Sequence, residues 1–153
     1  MRLSRKGEYA LRAMIRLSLA YGGGPLRIGE ISKLEKIPRK FLEQILLELR
    51  KAGLLRSRRG AGGGYSLIRP PEEITFAQVI RVIDGPLAPL GCVSTHAYVG
   101  CPDEKTCGLH RVMLEVRNAT ANILENATFA SACNGGEGMR AQAEPGERPQ
   151  GER

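Results

Sequence analysis

The chain has 153 residues and a net charge of +7, from 23 Lys and Arg against 16 Asp and Glu, with a pI near 9.6. Hydrophobic residues make up 42%, aromatics 5%, and Trp is absent, so one aliphatic, mainly helical domain with an arm or tail is expected. No apolar run reaches the roughly 18 residues of a membrane span. The first residues, MRLSRKGEYALRAM, carry Glu8 and lack the continuous apolar core of a signal peptide, which leads us to expect a cytoplasmic protein.

Residues 5–21 repeat Ala10, Ala13, Met14, Leu17, Ala20 and Tyr21 at helical spacing, and three glycines and Pro25 end the pattern. Leu26 to Glu35 predicts a short second helix with Ile28, Ile31 and Leu34 on one side. Lys36 and Ile37 then form a turn. From Pro38 the run PRKFLEQILLELRKAG predicts a third helix. At about 100° per residue, Phe41, Leu42, Ile45, Leu46 and Leu49 share one side, and Arg39, Lys40, Glu43, Gln44, Arg50 and Lys51 the other. Leu47 falls among the polar set. Pro38 suits a first helical position and Gly53 a left-handed stop. Leu54–Arg58 and Tyr65–Arg69 flank a loop, residues 59–64, in which four of six residues are glycine, and so predict a hairpin. Residues 38–69 hold eight Lys or Arg against Glu43 and Glu48, a local charge of +6 that accounts for most of the surplus.

Two short helices joined by a tight turn and followed by a basic hairpin predict a winged helix-turn-helix over residues 1–85. The fold class expected is mainly α with a small β-hairpin wing. In a helix-turn-helix the second helix enters the major groove, which places Arg39, Lys40, Glu43 and Gln44 on base edges. Gln pairs with adenine, Glu accepts from cytosine, and Arg or Lys reaches guanine or phosphate. The wing set is Arg58, Arg59, Gly63 and Tyr65. The competing reading is a solvated helix face beside a surface hairpin.

Thr75 offers an N-cap to a fourth helix in which Phe76, Val79, Ile80 and Ile83 repeat, and Gly85 and Pro86 stop it. Residues 86–110 keep neither helical nor strand period and hold Cys92, Cys101, Cys107 and His110 in the spacing C-x8-C-x5-C-x2-H. Three cysteines and a histidine in so short a loop favour metal or redox chemistry over structural disulfides. The close Cys pair that zinc prefers is missing, whereas an iron–sulfur cluster accepts wider spacing. Reduced, unliganded thiols fit equally well, and Cys133 stands apart. Residues 111–133 form the expected dimerisation segment. Its helix, 111–126, carries an apolar stripe of Val112, Met113, Val116, Ala119, Thr120, Ile123, Leu124 and Ala127 that a second copy would cover. Residues 134–153 read as a disordered tail. Ser94, His96 and Asp103 crowd one irregular loop and make no triad, and no phosphate-binding fingerprint occurs, so no enzyme is expected.

With these residues in place, the chain resembles the IscR- and NsrR-like (Rrf-type) winged-helix transcriptional regulators. The resemblance rests on MRLSRKGEYALRAM, FLEQIL, LRKAGLLRSRRGAGGGYSL and EITFAQVIRVIDGPLAP, and it spans residues 1 to about 130. It implies a homodimer that binds a palindromic promoter site in double-stranded DNA, acting as a repressor. It further implies redox sensing by an iron–sulfur cluster on Cys92, Cys101 and Cys107, with His110 or a partner's Glu8 as the fourth ligand. Some members carry no cluster and respond through protein partners, so the alternative is a cluster-free regulator of the same fold that senses a small molecule or a protein partner. Here the eight residues between Cys92 and Cys101 make a longer gap than in the best-known cluster binders.

Overall fold

A computed structural model describes residues 2–140. Helix α1 (Arg5–Leu19) begins at Ser4, whose hydroxyl accepts from the Gly7 amide at 2.8 Å. Helix α2 (Ile28–Glu35) and helix α3 (Arg39–Lys51) follow it, then strands β1 (Leu55–Arg58) and β2 (Gly64–Leu67), helix α4 (Phe76–Ile83), helix α5 (Gly108–Asn126) and helix α6 (Phe129–Arg140). Among the described residues no helix is long and apolar enough to cross a membrane. The mainly helical fold with one hairpin matches the expected fold class.

The core lies where α1, α2, α3 and α4 meet. Ala10, Ala13 and Met14 of α1, Ile31 of α2, and Leu42, Ile45, Leu46 and Leu49 of α3 are fully buried. Small residues on α1 let the helices approach closely, and the branched chains of α3 fill the space between. Phe41 departs from the expected apolar face: it is 46% exposed and meets Tyr9 edge-on, ring centroids 6.1 Å apart. Leu34 is likewise exposed. Leu47 is also partly exposed.

The turn between α2 and α3 depends on Lys36, which adopts the left-handed conformation at φ 54°. Its neighbour Ile37 is buried, and the Ser32 hydroxyl donates to the Ile37 carbonyl at 2.7 Å. Two ion pairs fix the helices on α1. Glu35 accepts from Arg16 at 2.7 Å, and Lys6 reaches Glu48 at 2.6 Å. Pro38 sits at the N-cap of α3, one position before the expected first turn, and Gly53 at φ 77° ends the helix as expected.

Leu55 pairs with Leu67 and Arg58 with Gly64 in the antiparallel hairpin. A third element joins it: Leu26 and Tyr65 exchange backbone hydrogen bonds of 2.9 and 2.7 Å. Gly64 makes that approach possible, since its φ of 145° is a glycine conformation and a Cβ there would collide with the Leu26 carbonyl. Thr75 and Gln78 form a reciprocal cap at the start of α4.

The C-terminal part differs from expectation. The segment 111–133 is not one helix: α5 ends at Asn126, Thr75 and Thr128 pair, and α6 turns back onto α1. Phe129 drives the reversal by stacking fully buried on Phe76, centroids 4.5 Å apart. Residues 134–140, expected in the disordered tail, belong to α6. The remainder of that tail, 141–153, lies outside the described residues.

Candidate nucleic-acid interface and cysteine loop

Helix α3, the start of α2 and the wing enclose an open cleft of about 860 Å³. Arg27, Lys33, Arg39 and Arg58 line it against a single carboxylate, Glu30. Glu30 is already engaged, accepting from the Arg27 amide at 2.7 Å. The cleft therefore presents clustered positive charge beside a glycine-rich edge, the footprint of a phosphate backbone. Of the expected DNA-contacting residues, Arg39, Arg58, Gly63 and Tyr65 line this cleft. Lys40, Glu43 and Gln44 are exposed along the outward side of α3, and Arg59 is exposed at the wing tip. Arg39 and Glu43 lie 3.5 Å apart in an exposed pair, so each orients the other. Gly63 is buried inside its own turn, its amide donating to Gly60 at 3.0 Å. Arg27 and Lys33 escaped the sequence reading because they lie on the helix preceding α3, and only the fold turns them to this side.

The cysteine loop is built on short-range contacts. A helical turn, Gly91–Val93, carries Cys92, and the Val99 amide returns to the Gly91 carbonyl at 3.0 Å. Cys107 is the N-cap of α5, its sulfur accepting from the His110 amide at 3.4 Å. Cys92, Cys101, Cys107 and His110 all line one cavity of about 320 Å³. Glu104, which the sequence reading did not select, lines it too. The Tyr98 hydroxyl donates to Glu104 at 2.7 Å, and the same carboxylate raises the Tyr98 pKa above its ordinary value. The other Glu104 oxygen is 3.8 Å from His110 Nε2, while His110 Nδ1 is buried with no hydrogen-bond partner. Glu8 does not line this cavity and stands 3.7 Å from Arg12 on α1. Cys133 packs against α1 near the Ile15 carbonyl, and burial pushes its thiol pKa up.

The donor set fits an iron–sulfur cluster chemically: three soft sulfurs, an imidazole, and one ring nitrogen buried without a partner. Among the described residues, however, no three His, Cys, Asp or Glu side chains are grouped so as to hold a metal ion. The thiols share a cavity without meeting at one centre.

The exposed side of α5 is apolar. Leu109, Val112, Val116, Ala119 and Ile123 recur at steps of three and four residues, and all are exposed, Ile123 at 66%. Met113, Thr120 and Leu124, expected in the same stripe, are half-buried and turn inward with the buried Ala121.

The family model described as Rrf2, iron-dependent transcriptional regulator, matches residues 3–135. An rrf2-like HTH-type transcriptional regulator of Rhodobacter capsulatus is 43% identical over 133 residues, 83% of this chain and 89% of the relative. The structure of CymR, the global cysteine regulator of B. subtilis, superposes with a TM-score of 0.75 at 31% identity, covering 88% of this chain and 97% of that one. That of T. potens IscR gives 0.71 at 29% identity, covering 95% and 94%. A basic cleft between α3 and the wing, on a fold and sequence shared along almost the whole described length, places this chain in the Rrf2 family of DNA-binding transcriptional regulators, which are not enzymes.

Proposed function

We propose that the protein acts as a homodimer on a palindromic promoter site, as a repressor whose DNA affinity follows the state of an iron–sulfur cluster held by Cys92, Cys101, Cys107 and His110. The cavity lined by three cysteines and His110 carries the reading. The family description as iron-dependent agrees with it. When bound, such a cluster supplies a one-electron redox group that oxidation or nitrosylation destroys. His110, which lines the cavity, is the fourth ligand of this reading. Its Nε2 faces Glu104, which leaves Nδ1 for a metal in the carboxylate–histidine arrangement common at such sites.

For DNA, Arg39, Lys40, Glu43 and Gln44 read base edges while Arg58, Arg59 and the Gly63–Tyr65 backbone lie along phosphates. The α5 seam supports the dimer, since five exposed apolar residues at alternating three- and four-residue steps form the stripe of a helix pair. Two reading helices related by a two-fold axis match a palindrome with half-sites about one DNA turn apart. Occupying such a stretch of promoter excludes polymerase.

Anaerobic purification followed by visible absorption and by iron and sulfide assay tests the cluster. A brown protein with iron and sulfide that Cys92→Ala and Cys107→Ala each lose supports it, and a colourless, iron-free wild type sinks it. One observation favours a second reading: the thiols do not converge. In that case the protein is a cluster-free regulator sensing a small molecule or a protein partner, as the likeness to a cysteine regulator suggests. Regulation then survives Cys92→Ala and Cys107→Ala.

A further inference from the structure

On the far side of the cysteine loop, a second cavity of about 190 Å³ opens between the end of α4, the loop and the middle of α5. Arg81, Arg117, His96 and Glu125 line it, with Ser94 and Thr95 at its edge. Arg81 is joined to Glu125 in an ion pair that holds the carboxyl below its ordinary pKa. Arg117 enters no ion pair among the described residues, and its Nε is buried without a hydrogen-bond partner. The Nε of Arg81 is buried and partnerless as well. Thr95 Oγ1 lies 2.8 Å from His96 Nδ1, both residues being exposed at the cavity rim.

Two guanidiniums face one carboxylate here, and that carboxylate is already taken. Arg117 Nε is closed off as well as unmatched, so an occupant of the cavity would meet the terminal nitrogens of the guanidinium, which no carboxylate pairs among the described residues. Water satisfies a single N–H, but a planar fork beside an imidazole is shaped for a two-oxygen anion. The volume equals that of about six waters, enough for an anion of roughly four to eight heavy atoms.

We propose that this cavity is a binding site for a small mono- or dicarboxylate, held by the Arg117 fork with His96 as a second donor. Its residues belong to neither the DNA cleft nor the cysteine cavity, so the site stands whether or not a cluster is bound. Its position gives an occupant leverage: Ser94, Thr95 and His96 directly follow the turn bearing Cys92, and α4 packs on both α1 and α3.

Calorimetric titration of the full chain without DNA, at fixed ionic strength, with sodium acetate, sodium succinate and sodium sulfate tests it. One saturable site per chain for acetate or succinate is expected, weaker by roughly tenfold in Arg117→Gln and less so in Arg117→Lys. Arg111→Gln, on the exposed start of α5, should bind like wild type. Circular dichroism checks that each variant is folded, and Arg117→Lys carries the comparison if the glutamine variant is not. The proposal is overturned by any of three results: no saturation with either carboxylate up to about 10 mM, unchanged affinity in the folded Arg117 variants, or sulfate binding as tightly as the carboxylates.

Discussion

The winged-helix half and the cysteine loop are built to opposite specifications. Residues 5–83 meet in a core where nine or more aliphatic side chains from four helices are fully buried, pinned by ion pairs such as Arg16–Glu35 and Lys6–Glu48. Residues 86–110 bury only Leu87, Val93 and Ser94, and their hydrogen bonds join near neighbours, as in Val99 to Gly91 and Thr106 to Asp103. A segment held by few long-range contacts reopens at little cost, whereas a packed one moves as a body. The winged-helix half is therefore preformed, and the loop is the part that reopens most readily. The two meet at α4 and α5, so under the proposed function a change in the loop would reach α3 by shifting helices rather than by remaking it.

The sharpest way to break this contrast is to remove volume from each half. Leu46→Ala, at a fully buried position on α3, should cost about 2–5 kcal/mol in urea unfolding, whereas Val99→Ala, in the exposed loop, should cost under about 0.5. Equal losses would mean the loop is packed in solution. Next in size is Gly64→Ala, which forces a Cβ against the Leu26 carbonyl at a φ of 145°. A loss of about 1–3 kcal/mol is expected, together with weakened DNA binding because the wing detaches from the start of α2. Unchanged DNA affinity in a gel-shift titration would show that the wing takes no part in binding.

The two halves also differ in how much of them could be read in the sequence. Regular period and punctuation made α3 and the hairpin legible, from the apolar spacing of Leu42, Ile45, Leu46 and Leu49 to the stop at Gly53. What escaped was non-local. The Leu26–Tyr65 pairing joins residues that no local pattern connects, and the left-handed Lys36 carries a side chain that gives no warning of it. The tail beginning NGGEG reads as a helix breaker, yet Phe129, one residue with a large apolar surface and a ring to stack on, anchors α6. In the loop the cysteines were visible by type, but Glu104 was not, because its approach to Tyr98 and His110 follows from an irregular backbone. The stripe on α5 was legible as apolar, and only the fold divided it into an inward face with Ala121 and an outward seam with Ile123.

Within the reader, base and phosphate contacts should separate in size and kind. Arg59→Ala at the wing tip should weaken binding evenly across operator sequences and reduce the salt slope by about one. Glu43→Ala should instead change which base is preferred, by about 1–3 kcal/mol of discrimination at one position. Binding of randomised operators at several salt concentrations distinguishes them. If both variants keep wild-type affinity and preference, α3 and the wing are not the contact surface.

The smallest effect concerns the thiols, one of which lies on α6 against α1 of the packed half. Cys133 is half-buried against α1 and its pKa is raised by desolvation, while Cys101 is exposed on the loop. The thiolate is the reactive form, so at any pH below its raised pKa Cys133 carries less of it. In iron-free protein between about pH 7 and 9, a disulfide reagent followed by peptide mass spectrometry should label Cys101 first and Cys133 last. Raising the pH increases the Cys133 thiolate fraction and narrows the gap, but burial keeps a residual lag that pH cannot remove. Labelling of Cys133 at the rate of Cys101 would mean that α6 leaves α1 readily.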